Sequence, residues 1–253
     1  MAEVLLERSD RVAVITVHDP ERRNALTVDL SDQLAAAVKS CEEDADVHAV
    51  VVTGTPPAFC AGADLTALGE AREEGLRRIY AGFLAVAHCT LPTIAAVGGA
   101  AVGAGLNLAL ACDVRIVNGK AKFDARFLQL GIHPGGGMTW MLQRLVGPQT
   151  ATAMTLFNQV LGADTAVSNG LAWARVDGGH DELVASAVEF ARPSAEASRE
   201  LVRTIKATMR TTATLADHTQ AVDTELAPQV ASIGTREFQA KLAAMKARIS
   251  SRE

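Results

Sequence analysis

The chain has 253 residues, enough to bury roughly 70–75% of the surface that its unfolded form exposes; that size favours one domain, or one with a small appendage. Hydrophobic residues make up 49% and charged residues 21%, a balance that excludes intrinsic disorder. A net charge of −5, no basic cluster and only 4% aromatic residues argue against nucleic acid as a partner.

Residues 4–7 and 12–17 alternate apolar and polar and predict two β-strands around the turn Ser9-Asp10-Arg11. After a loop over 19–24, Leu26, Leu30, Leu34 and Val38 fall on one helical stripe, with Thr27 as N-cap and Asp29 in the first turn. A strand over 47–53 stops at Gly54 and Pro56-Pro57, and residues 66–88 read as a charged, mostly helical stretch. Residues 90–112 carry no charge, but Pro92, several glycines and Asn107 make them a poor membrane helix. They divide better into a strand over 93–97, a Gly-rich turn over 98–105 and a buried helix to 111. Residues 113–117 predict a fifth strand. Beyond Pro134 the pattern is nearly all helical, over 139–146, 149–156, 163–169, 181–190, 195–209 and 236–249. The last segment sets Phe238, Leu242, Met245 and Ile249 on one face, which needs a core or another subunit to cover it. Strands joined by helices, then helices alone, suggest an α/β or α+β layer core.

Cys41, Cys60, Cys89 and Cys112 form no C-x-x-C pair, and residues 1–10 hold three acids and no apolar run. A reduced, cytoplasmic protein is expected. Two small-residue turns separate a strand from a helix: 59–65, Phe-Cys-Ala-Gly-Ala-Asp-Leu, and 98–105. The first N–H groups of a helix lack an internal partner and sit at its positive end, so two such turns side by side can aim two donors at one oxygen. The same composition also suits tight turns with close helix–sheet packing. Other motifs fail: the third place of a dinucleotide fingerprint beginning at Gly103 holds Leu108, no phosphate loop or G-x-S-x-G is present, and the six histidines are scattered.

Asn24-Ala25-Leu26, then Phe59 to Leu65, then Ala96-Val97 leading to Cys112-Asp113, then Leu130-Gly131 and Pro134-Gly135-Gly136-Gly137 follow one another in an order that resembles the crotonase superfamily, the enoyl-CoA hydratase/isomerase family. The resemblance spans essentially the whole chain. It implies an α+β fold, a spiral of β-β-α units over 1–192 with a helical region over 193–253 that assembles a homotrimer or hexamer. It implies an acyl-CoA thioester as ligand, coenzyme A as part of that substrate, and no permanently bound cofactor, metal or membrane. The backbone N–H groups of Ala63 and Ala104 become the oxyanion hole. Arg22, Arg23, Ala25, Leu26, Ala61, Asp64, Leu65 and Gly103 become CoA- or substrate-facing positions. Arg22 and Arg23 either meet phosphates or are solvated loop charges. Asp64 either contacts the ligand or caps the helix that follows it.

The pattern departs from the family at the two places where its hydratases carry glutamates. These hold Asn107 and Phe127. Neither transfers a proton at neutral pH, and losing general acid–base catalysis removes about 10²–10⁴-fold in rate. Isomerisation in the family also needs an acid, so it is equally in question. His133 is a candidate replacement base or a structural histidine. Asp124 and Arg126 form a structural ion pair, serve acid–base chemistry or bind a polar acyl tail. Glu70, Glu73 and Glu74 read as a solvated helix face. Cys60 and Cys112 read as inert core residues, and Trp140 and Met141 as packing residues. Three readings result: a divergent acyl-CoA enzyme, a non-catalytic acyl-CoA carrier or sensor, and a scaffold with a vestigial site.

Overall fold

A computed structural model describes residues 1–70 and 72–250; the Ala67 and Glu70 side chains lie outside the described residues. The chain runs β1 (Glu3–Ser9), β2 (Val12–His18), a 3-10 turn at Pro20–Arg22, α1 (Val28–Glu43), β3 (Ala49–Gly54), β4 (Ala58–Cys60), α2 (Leu65–Glu70), α3 (Glu73–His88), β5 (Thr93–Val97), β6 (Ala100–Val102) and α4 (Ala104–Ala111). It continues through β7 (Val114–Asn118), β8 (Lys122–Asp124), a second 3-10 turn at Leu128–Leu130, α5 (Met138–Leu156), β9 (Leu161–Gly162), α6 (Ala163–Ser168), β10 (Ala174–Val176), α7 (His180–Glu196), α8 (Arg199–Thr212), α9 (His218–Ile233) and α10 (Arg236–Ser250).

Two mixed sheets result. The larger has the order β1-β2-β3-β5-β7-β10 and is parallel except for the β1–β2 hairpin. The smaller, β4-β6-β8-β9, is parallel except at β8–β9. A mostly parallel sheet buries both faces, and β2 shows how. Ala13, Ile15 and Val17 enter the main core, while Val12 and Val14 pack with Leu183, Ala187, Ala191 and Ala195. Those four lie every fourth residue along α7, the spacing of a single helix face. Thr27 caps α1 as its sequence suggests, its hydroxyl accepting from the Leu30 amide at 3.1 Å.

The uncharged stretch over 90–112 is core. All eight residues of α4 are buried, and a Cβ on Gly105 would stand 2.0 Å from the Cys60 carbonyl oxygen. Glycine there lets α4 press onto β4. Among the described residues no helix is long and apolar enough to cross a membrane. The last carbonyls of α4 meet a buried cation. Arg115 donates to the Cys112, Ala109 and Leu171 carbonyls at 2.7, 3.3 and 2.6 Å. Burial lowers its pKa from the usual guanidinium range.

The structure corrects several sequence expectations. The turn over 98–105 contains β6, so only Gly98–Gly99 and Gly103 remain as turn. The helix expected over 195–209 is two: α7 runs past Pro193 to Glu196, extended Ala197 interrupts, and Ser198 caps α8 by accepting from the Leu201 amide. α5 breaks at Gly147 (φ 74°, ψ 169°) before Pro148, matching the two segments expected. Trp140 is not packed inside. It is exposed, with the Arg144 guanidinium 3.8 Å over its ring.

Contacts divide the chain into Met1–Ala197 and Ser198–Glu253. The first unit includes α7, which covers the larger sheet along its whole length. The second unit consists of α8, α9 and α10, where Phe238 and Leu242 are half-buried and Met245 and Ile249 exposed.

Candidate functional site

A cleft of about 560 Å³ opens in the first unit where β4, β6 and β8 end. Its floor is the pair of small-residue turns. Leu26 donates to the Gly62 carbonyl at 2.7 Å and accepts from the Asp64 amide at 2.9 Å. That parallel bridge turns the Ala63 N–H away from Leu26. Ala104 opens α4, so its N–H has no partner within the helix. Among the described residues neither amide donates to a protein acceptor. The two turns touch: a Cβ on Gly62 would lie 3.0 Å from the Val102 carbonyl oxygen and 4.0 Å from the Ala104 nitrogen. Ala63 and Ala104 thus face one cleft from adjoining turns.

Asn24 holds this floor from behind. It is fully buried with φ 60°, a left-handed conformation that asparagine tolerates. Its amide donates to the Thr55 and Ala58 carbonyls at 2.8 Å each, and its Oδ1 accepts from the Asp19 amide at 2.9 Å. The neighbouring Arg23 carbonyl takes the Ala61 amide at 3.0 Å. The sequence marked Asn24 only as part of a motif; its side-chain bonds to Asp19, Thr55 and Ala58 were not legible there.

Of the residues singled out from sequence, the cleft brings together Ala63, Ala104, Arg22, Ala25, Ala61, Asp64, Leu65, Gly103, Asn107, Arg126, Phe127 and His133. Arg23, Leu26 and Asp124 do not line it. Leu26 is core, and Arg23 is an exposed corner with φ 53°. Asp124 is buried behind the cleft, its carboxylate held by Arg126 Nε at 2.9 Å and by a second Arg126 nitrogen. That hydrogen-bonded carboxylate raises the Arg126 pKa above its usual value. Asp64 does cap α2, its Oδ1 accepting from the Thr66 amide at 3.1 Å while the residue lines the cleft. Arg22 donates Nε to Asp19 at 2.7 Å at the rim.

The far wall is made of α3, α4 and the loop over 131–137. Asn107 is buried and donates Nδ2 to the Gly135 carbonyl at 2.9 Å; its Oδ1 has no partner among the described residues. His133 Nδ1 lies 2.7 Å from the Pro134 carbonyl oxygen. A carbonyl only accepts, so Nδ1 carries the hydrogen and the neutral ring keeps its lone pair on Nε2. Tyr80, the single tyrosine, also lines the cleft. Sequence reasoning passed over it, because a tyrosine in a charged helix carries no motif. The glycines of the loop are needed for these approaches. A Cβ on Gly135 would stand 2.2 Å from the Tyr80 hydroxyl, and one on Gly136 (φ 65°) 2.5 Å from Phe83 and 2.6 Å from Asn107 Nδ2.

Among the described residues no group of His, Cys, Asp and Glu could hold a metal ion. Burial pushes the Cys60 thiol up to about 12 and the Cys41 thiol to about 11. Neither is a nucleophile near neutral pH.

The family model for enoyl-CoA hydratase/isomerase matches residues 7–248. A Mycobacterium tuberculosis protein named probable enoyl-CoA hydratase EchA14 is 55% identical over 254 residues, covering 97% of this chain and 98% of that protein. A short-chain-enoyl-CoA hydratase of Clostridium acetobutylicum is 36% identical over 193 residues, covering 74% and 73%. The solved structure of a putative enoyl-CoA hydratase/isomerase from Mycobacterium abscessus superposes with a TM-score of 0.88 at 29% identity, over 97% of this chain and 96% of that one. A matching model along nearly the whole chain, and the two-sheet fold with its terminal helices, lead to one conclusion: the chain belongs to the enoyl-CoA hydratase/isomerase family, the crotonase superfamily.

Proposed function

We propose that the chain binds an acyl-CoA thioester and polarises its carbonyl with the Ala63 and Ala104 N–H groups, without the acid–base pair of a hydratase. The observation that carries this reading is the pair of unpartnered amides on adjoining turns at one cleft floor. Fixed donors aimed at a developing oxyanion need no reorganisation when charge appears there. Arg22 leaves its terminal nitrogens available for a phosphate at the rim. Ala25, Ala61, Asp64 and Leu65 form the adjoining entrance.

The family's two glutamate positions correspond in sequence to Asn107 and Phe127. Asn107, whose Nδ2 bonds the Gly135 carbonyl, carries no transferable proton at neutral pH, and Phe127 offers only an apolar wall. Hydration by the two-glutamate route is therefore lost in this reading, and the reaction is a divergent one on a thioester enolate. His133, with Nε2 available, is the proposed base. Asp124 is not, since it does not line the cleft and Arg126 holds its Oδ2. A second reading, an acyl-CoA carrier or sensor, draws on the half-buried Phe127 at the cleft. A homotrimer or hexamer is proposed as the assembly, supported by the exposed apolar row Leu201, Ile205 and Met209 along α8.

Ala104→Pro tests the proposal. Position 104 is the first residue of α4, where proline is tolerated, so the change deletes one N–H and little else. By calorimetry the variant is expected to bind butyryl-CoA about tenfold more weakly while its affinity for free CoA moves far less. An equal loss for both ligands contradicts a carbonyl-binding role.

A further inference from the structure

Arg126 stands where the chain leaves β8 at the cleft, and its backbone is strained. Its φ is 63°, and the Phe127 amide donates across it to the Ala125 carbonyl at 2.8 Å. Arg126 is thus the corner of a three-residue turn of the rare, strained hand. Such strain persists only where the surroundings over-determine it, and it gathers at ligand-binding positions. What holds the side chain here is Asp124. That carboxylate is buried, and its Oδ2 accepts from Arg126 Nε at 2.9 Å and from Nη2.

Those two bonds use one edge of the guanidinium, the edge formed by Nε and Nη2. The planar fork carries five N–H groups. Its end-on edge, formed by Nη1 and the second hydrogen of Nη2, has no acceptor among the described residues. Arg126 lines the cleft with 45% of its side chain exposed, whereas Asp124 does not line it. Asp124 therefore fixes the plane of the fork from behind, and two parallel charged donors are left on the cleft side. That edge matches the two oxygens of a carboxylate. The cleft supplies no rival acceptor of that kind: Asp64, the only acid lining it among the described residues, caps α2 at the entrance.

The strand pairing sets where such a carboxylate would lie. Val102 pairs with Asp124 across β6 and β8, and the Gly103 amide donates to the Asp124 carbonyl at 3.0 Å. The end of β8 thus runs about 5 Å from the turn that presents the Ala104 N–H. A thioester carbonyl held at Ala104 brings a group a few carbons along its acyl chain within reach of the Arg126 fork. The phosphates of CoA lie at the opposite end of the ligand, beyond the pantetheine arm.

We propose that Arg126, aligned by Asp124 as a positioning residue, binds a carboxylate on the acyl group, so that the site prefers CoA monothioesters of dicarboxylic acids. This rests on the thioester reading above and adds to it the charge of the acyl tail.

The test is calorimetric titration of the protein with butyryl-CoA, malonyl-CoA, glutaryl-CoA, adipoyl-CoA and free CoA, repeated on Arg126→Met and Arg126→Lys. One dicarboxylic thioester is expected to bind about tenfold or more tightly than butyryl-CoA. That ratio is expected to fall toward one in Arg126→Met and to an intermediate value in Arg126→Lys, because lysine keeps the charge and loses the fork. Should Arg126→Met not fold, the ratios in the unaltered protein and in Arg126→Lys decide. Equal binding of all the thioesters overturns the inference and leaves the thioester reading standing. So does a preference that survives undiminished in the variants, and so does an equal loss for free CoA, which assigns the edge to a phosphate. Failure of every thioester to bind overturns both.

Discussion

At the scale of single residues, the site depends on polar side chains that never touch a ligand. Asn24 bonds the Thr55 and Ala58 carbonyls and the Asp19 amide from a position with no exposure. Asn24→Ala strands those groups and places alanine at φ 60°. A loss of about 3 kcal/mol or more in urea unfolding is expected, with weaker thioester binding because the Ala61–Asp64 turn loses its backing. A variant as stable as the unaltered protein contradicts the role. Cys60 makes a second prediction. Its thiol is pushed up from 9.0 to about 12 by burial, so between those pH values the native state holds a proton that the unfolded state has released. Stability should fall as pH rises above about 9. Thiol alkylation of the native protein at pH 8 should be slow at Cys60 and Cys41, and rapid labelling of either contradicts the buried assignment.

At the scale of elements, α4 organises the molecule and shows what its sequence could convey. Its uniform apolarity between two glycine turns reads as a buried helix, and that is what forms. Its spatial partners are less legible. β4, β6 and β8 are three residues each, Ala-Phe-Cys, Ala-Ala-Val and Lys-Phe-Asp, too short for a period-two pattern to register. The whole smaller sheet was therefore missed, although its turns were noticed. α9 was also missed, because Val222, Leu226 and Val230 remain exposed and Pro228 interrupts the pattern. α1, with its capping threonine and full apolar stripe, and β5, an uncharged run bounded by Pro92 and Gly98, were placed closely. Arg115 belongs to this scale, since it satisfies carbonyls at the end of α4 and at Leu171. Arg115→Leu should cost about 3 kcal/mol in chemical denaturation, as buried carbonyls lose their donor. A change within about 0.5 kcal/mol, the range of ordinary surface substitutions, rules that out.

At the scale of the whole molecule, the fold carries two small-residue turns to one floor and brings α3 and the 131–137 loop over it. The ordered motifs made that floor legible in the sequence, because each turn is local. The wall was legible only in part: His133 and Asn107 carry motif positions, whereas Tyr80 reaches Gly135 across 55 residues of chain. In the proposed function a thioester site persists without the hydratase acid–base pair. The most direct measurement is the steady-state hydration rate of crotonyl-CoA, followed by loss of its enoyl-thioester absorbance, with thermal shift on the same ligand to establish occupancy. A raised melting temperature is expected, with a kcat below about 0.1 s⁻¹, at least 10²-fold under the common enzyme value near 10 s⁻¹. Hydration at about 10 s⁻¹ or faster contradicts it.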